Sequence, residues 1–158
     1  MINIEIIEAD YHDRKHCSDI MYLTNSYAED EMGGAEPLPN KKLIQMIKGL
    51  RETSNAFTLI AYENNRPVGI ANCFIGFSTF EAKKLINIHD LAVVPEQRSR
   101  GIGEKLLERI QKKARRLKCC KLTLEVRKDN PARFLYERFG FENGDPGMLF
   151  MTKEYYEI

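Results

Sequence analysis

The amino-acid sequence predicts one α/β domain, a mixed and twisted sheet of six or seven strands with helices on both faces. Three observations predict it. Residues 85–117 read as strand, glycine loop and helix. The aliphatic run Ile86, Ile88, Leu91, Val93, Val94 stops at Pro95, turns through Gly101 and Gly103, and resumes as an amphipathic helical pattern. Residues 121–126 alternate again after that helix, and a strand reached through a helix pairs parallel to its predecessor. Upstream, residues 57–61 and 68–75 flank the turn Glu63, Asn64, Asn65, Arg66, Pro67, which predicts an antiparallel hairpin.

Each element has its own reason. Ile2, Ile4 and Ile6 alternate with polar residues, as a half-buried first strand would. Over residues 11–28, Cys17, Ile20, Met21, Thr24 and Tyr27 recur at three- and four-residue spacings and predict a helix, ended by Glu29, Asp30, Glu31 and the pair Gly33, Gly34. Leu43, Ile44, Ile47 and Leu50 mark a second helix with Asn40 as its cap. The helix after the glycine loop carries Ile102, Leu106, Leu107, Ile110, Ala114 and Leu117 on one side and charges on the other, so it packs on a sheet. Asn130 caps a short helix with Pro131 at its first position, through Ala132, Leu135, Tyr136 and Phe139, and Gly140 ends it. Residues 148–155 read as a closing strand, whose edge suits pairing between copies; a monomer or a homodimer is expected.

Composition narrows the function classes. A chain of 158 residues with 43% hydrophobic and 30% charged residues fits a single globular domain over residues 1–158, and no repeat or linker divides it. A net charge of +1 gives no overall attraction to nucleic acid or membrane. The basic run Lys112, Lys113, Arg115, Arg116, Lys118 lies at a helix C-terminus, where cations complement the dipole, and it reads as a solvated face, not a nucleic-acid site. Cys17, Cys73, Cys119 and Cys120 have no C-x-x-C spacing and read as reduced thiols of a cytoplasmic protein. The first residues lack a signal-peptide pattern, and no apolar run reaches the ~18 residues of a membrane span. His12 and His16 stand one helical turn apart, but no third ligand accompanies them, and no metal is predicted.

The loop advertises a ligand. Glycines admit close backbone approach, and the free N–H groups and positive dipole end of the following helix suit an anion such as a pyrophosphate. The motif Arg98-x-x-Gly101-x-Gly103, followed by Asn130-x-Ala132-x-x-Leu135-Tyr136-Glu137-x-x-Gly140-Phe141, resembles the GCN5-related N-acetyltransferase (GNAT) family. The likeness covers residues 85–141 closely and the first half only in its order of elements. It implies acetyl transfer from acetyl-coenzyme A to a primary amine, without a metal or an acyl-enzyme. The same resemblance implies that the backbone of Arg98, Ser99, Arg100, Gly101, Ile102 and Gly103 holds the pyrophosphate. Leu91, Ala92 and Val93 would pair with the pantetheine arm, which Asn130 also contacts, and main-chain donors near Val93 would stabilise the oxyanion. Tyr136 would be the general acid.

The base is open at this level. Asn87 occupies a position where histone acetyltransferases carry a glutamate, and an amide takes no proton at neutral pH. His89 and Asp90 are the nearest replacements, Glu125 is a third, and a water chain ending on any of them would also serve. The acids Glu29, Asp30 and Glu31 would border the acceptor site and attract a cationic small-molecule amine. A non-catalytic coenzyme A-binding regulatory module of the same fold is the alternative reading.

Overall fold

The computed structural model describes residues 3–156. The chain divides into two compact units, Met1–Leu124 and Glu125–Ile158. The first holds a five-stranded sheet in the order β1 (Ile4–Glu8), β2 (Ala56–Glu63), β3 (Arg66–Ser78), β4 (Lys83–Val93), β5 (Lys121–Leu124). Neighbours from β1 to β4 are antiparallel, and β4 and β5 run parallel, as their connection through a helix requires. Of the first strand's predicted residues, Ile2 lies outside those described.

Local chemistry explains the joints. Asn64 and Asn65 both adopt positive φ (50° and 64°), the backbone of the tight hairpin turn whose twist matches the strands it joins. Helix α1 (Arg14–Glu29) starts three residues later than the periodicity predicts, because the Asp13 side chain accepts the His16 N–H and fixes the cap there. Helix α2 (Asn40–Glu52) takes Asn40 as its first helical residue; Pro39 stands at the cap, so the predicted Asn40 cap is not formed. Helix α3 (Ile102–Arg116) buries Ile102, Leu106, Leu107, Ile110 and Ala114, while Leu117 is only half-buried.

Contacts place helices on both faces of the sheet. A Cβ built on Gly69 of β3 would lie 3.0 Å from Ile102 Cγ2 and 3.3 Å from Leu106 Cδ1, so a glycine is what lets α3 settle against that face. On the opposite face, Tyr62 of β2 donates its hydroxyl proton to Asp19 of α1 at 2.5 Å. Cys73, buried in β3, and the other three cysteines are free thiols. Ile110 is fully buried, and Ile110→Ala is expected to cost about 2–5 kcal/mol of stability, read as a lower denaturant midpoint with unchanged slope.

Unit two contains helix α4 (Arg133–Arg138). Asn130 Oδ1 accepts the Ala132 N–H at 2.9 Å and its carbonyl accepts the Arg133 N–H, so Asn130 opens the turn that leads into the helix, which is shorter than predicted. Gly140 takes φ 88° and ends it. The predicted sheet of six or seven strands is corrected to five among the described residues, and residues 148–155 form no strand. The segment has apolar side chains but no ladder partner, and Met148, Leu149, Phe150 and Met151 are exposed. The edge expected to pair two copies is therefore not a strand.

Candidate active site

Strand β4 supplies the first part of the site. Its register against β3 pairs Cys73 with Ile88 and Asn72 with Asp90, which leaves His89 as the extra residue of a β-bulge. The bulge breaks the strict alternation. Asp90 stands opposite Asn72 on the face away from α3, and the His89 ring meets Phe74 of that same face edge-on at 5.6 Å. Two predicted bases thus share one face. His89 is exposed, not a core residue, and Asp90 is half-buried with Oδ2 accepting from Asn72 Nδ2 at 3.0 Å.

Asn87 is occupied structurally. Its Nδ2 donates to Thr123 Oγ1 of β5 at 3.0 Å, tying the two parallel strands together just before their pairing ends at Ile88 and Leu124. Beyond that point β4 continues through Leu91, Ala92 and Val93, and no described strand lies along that edge. Glu125, which follows β5, is exposed and belongs to the second unit.

The loop after β4 supplies the second part. Ser99 and Gly101 both take positive φ (63° and 80°), and Gly101 stands at the N-cap of α3 without a side-chain cap. Among the described residues, the N–H groups of Ser99, Arg100, Gly101, Ile102, Gly103 and Glu104 have no protein acceptor. A row of open donors at a helix N-terminus is an anion cradle. A Cβ at Gly101 would meet nothing within 4 Å, so the need for glycine there is conformational. Left-handed backbone costs other residues roughly 1–2 kcal/mol, and Gly101→Ala is expected to destabilise the chain by about that amount, read as a lower denaturant midpoint.

The loop's arginines are committed to protein carboxylates, a feature that sequence spacing did not reveal. Arg98 Nη2 meets Asp30 Oδ2 at 2.6 Å and its Nε donates to Val93 O at 3.1 Å, binding the loop to the end of α1 and to β4. Arg100 grips Glu63 through both guanidinium nitrogens at 2.7 and 2.9 Å, and also reaches Gln97. Both side chains fix the loop.

Asp30 is held below the usual carboxylate range, first by the Met32 N–H and then by Arg98. A depressed carboxylate adds stability that is present above its unfolded value of ~3.9 and lost as pH falls through the folded one. The stability gap between the wild-type chain and Asp30→Asn is accordingly expected to close below about pH 4, as followed by thermal melts across pH.

Asp30 also lines a cavity of about 580 Å³ with Tyr22, Asn25, Glu29, Glu31 and Glu96. Of the acids predicted to face an acceptor, Glu29 accepts from Asn25 Nδ2 at 3.1 Å, and Asp30 is neutralised by Arg98. Of the two histidines His12 and His16, His16 uses its Nδ1 to accept the Asp10 N–H at 3.0 Å.

In the second unit, Tyr136 is the buried residue of α4, its ring edge-on to Phe141 at 5.9 Å. The Asn130 carbonyl oxygen of the side chain is used on Ala132, which leaves the amide nitrogen to donate.

A model of the acetyltransferase (GNAT) family matches residues 20–141, a span that holds the β4 bulge, the donor loop and Tyr136. The chain belongs to the GNAT acetyltransferase family. It is similar to the uncharacterized N-acetyltransferase YhfO of Bacillus subtilis, 34% identical over 133 residues that cover 80% of this chain and 83% of the relative. It is also 35% identical over 94 residues to the [ribosomal protein bS18]-alanine N-acetyltransferase of Haemophilus influenzae, covering 60% and 57%. A crystal structure of a probable acetyltransferase superposes with a TM-score of 0.82 at 21% identity, covering 97% of this chain and 99% of that one. This GNAT protein is an acetyltransferase enzyme, and GNAT-fold acetyltransferases draw their acetyl group from acetyl-coenzyme A. The open donors from Ser99 to Glu104 fit the pyrophosphate of that molecule. Among the described residues no helix is long and apolar enough to cross a membrane.

Proposed function

We propose that this GNAT enzyme moves the acetyl group of acetyl-coenzyme A to a primary amine by direct attack, with both units acting as one cytoplasmic N-acetyltransferase domain. The observation that carries the reading is the row of open N–H groups from Ser99 to Glu104, next to the edge of β4 at Leu91, Ala92 and Val93, along which no described strand lies. Acetyl-coenzyme A supplies the thioester. The loop N–H groups hold its pyrophosphate, while main-chain groups of Leu91, Ala92 and Val93, with the Asn130 amide, hold the pantetheine arm.

Asp90 takes a proton from the substrate ammonium, and the neutral nitrogen attacks the thioester carbonyl carbon. Main-chain N–H donors near Val93 stabilise the negative charge that develops on the carbonyl oxygen. The carbon–sulfur bond breaks and Tyr136 gives its phenolic proton to the leaving sulfur. One ammonium and one thioester become one amide, one thiol and one released proton. His89, turned onto the same face by the bulge, is the second group able to accept the amine's proton.

The acidic lining of the cavity by Glu29, Glu31 and Glu96 favours a cationic amine. The bS18-alanine N-acetyltransferase relative is consistent with an amine acceptor of this kind. The test is a panel of polyamines, aminoglycosides, amino acids and peptide N-termini, incubated with acetyl-coenzyme A and read by product mass. Enzyme-dependent acetylation of at least one class is expected; no product from any class contradicts the reading.

A further inference from the structure

A row of polar side chains crosses the interior of the sheet. Thr58 of β2, Asn72 of β3 and Asp90 of β4 are direct register partners, and Thr58 and Asn72 are 0% and 4% exposed. Their strand neighbours are apolar: Leu59, Ile60, Ala61, Ile70, Ala71 and Cys73. Buried polar groups cost stability unless they are bonded, and these are bonded to one another. Thr58 Oγ1 donates to Asn72 Oδ1 at 2.8 Å, and Asn72 Nδ2 donates to Asp90 Oδ2 at 3.0 Å. Tyr11 continues the row, its hydroxyl 2.9 Å from Thr58 Oγ1.

The direction of every bond follows from proton counting. An amide oxygen only accepts, so the single Thr58 hydroxyl proton is committed to Asn72. Tyr11 must then donate to Thr58. A carboxylate only accepts, which fixes the Asn72 amide with its nitrogen toward Asp90. All three bonds point the same way, from Tyr11 to Asp90, and aligned hydrogen bonds polarise one another. Burial pushes the Tyr11 hydroxyl above its ordinary range, which keeps it a proton donor. Arg51 of α2 holds the start of the row by donating to the Tyr11 carbonyl at 2.8 and 3.1 Å.

We propose that Tyr11, Thr58 and Asn72 are positioning residues, which anchor Asp90 Oδ2 and leave Oδ1 to take the proton of the amine. This rests on Asp90 being the base. The row connects the core of the sheet to the first bulged position of β4, where the strand's alternation is broken.

The test uses the intact enzyme and the best acceptor from the amine panel. Thr58→Val keeps the shape and removes the donor, and is expected to lower kcat about tenfold with the KM for acetyl-coenzyme A unchanged, the equivalent of one lost hydrogen bond. Thr58→Ser keeps the donor and should retain kcat. In an Asp90→Asn background, Thr58→Val should cause no further loss. Tyr11→Phe should lower kcat by a smaller factor, and it replaces Thr58→Val as the deciding variant, alone and in the double, if that protein does not fold. Should Thr58→Ser be as slow as Thr58→Val, packing explains the effect and the proposal is overturned. It is also overturned, with the base reading intact, if Asp90→Asn slows turnover while Thr58→Val and Tyr11→Phe do not. If Asp90→Asn leaves kcat unchanged, the base reading fails first and takes the proposal with it.

Discussion

Tyr136→Phe is expected to lower kcat about 100-fold while leaving the affinity for acetyl-coenzyme A within about twofold. The substitution removes one oxygen and keeps the ring, so the edge-on contact with Phe141 at 5.9 Å survives. A general acid contributes only while the leaving sulfur departs. Its loss therefore falls on the chemical step and not on cofactor binding. If Tyr136 served only packing in α4, kcat would not change, because the ring that packs is retained. Steady-state kinetics, calorimetry and a thermal melt on the same preparation separate these outcomes.

Asp90→Asn is expected to reduce kcat by roughly 10²-fold, because an amide of nearly the same shape cannot take a proton at neutral pH. Its carbonyl oxygen can still accept from Asn72 Nδ2, so the row through the sheet is kept while the basicity is lost. His89→Gln provides the comparison. His89 is exposed, and its ring contact is with Phe74, whereas Asp90 is anchored by a buried donor. The expected order is a large loss for Asp90→Asn and near-normal turnover for His89→Gln. The reverse order would assign the base to His89.

Local features were legible before the structure. The stop at Pro95, the glycine loop and the apolar stripe of α3 are adjacent in sequence and set by backbone and periodicity alone. The parallel β5 followed from its helical connection. The contacts that organise the site were less legible, since they join distant residues. Arg98 meets Asp30 across 68 positions, and Arg100 meets Glu63 across 37. Nothing in charge spacing selects those partners among many acids.

The bulge at His89 does leave a mark, since the apolar positions pass from Ile86 and Ile88 to Leu91 and Val93 across it. It leaves His89 exposed, on the face that also carries Asp90. Thr58 and Asn72 did carry a signal, as polar residues inside apolar runs that require a bonded partner. The closing strand failed for the opposite reason: an apolar run after a turn describes side chains, and a strand also needs a neighbouring backbone to pair with. Residues 148–155 have none among those described.

The most direct measurement is a calorimetric titration of acetyl-coenzyme A, set beside S-acetylpantetheine, which has the same thioester arm and no pyrophosphate. With the proposed pyrophosphate contacts made by the open donors from Ser99 to Glu104, acetyl-coenzyme A should saturate one site and bind at least about tenfold more tightly than the shorter compound. Gly101→Ala should narrow that difference. No detectable heat at millimolar acetyl-coenzyme A, or equal affinity for the two compounds, would contradict the account.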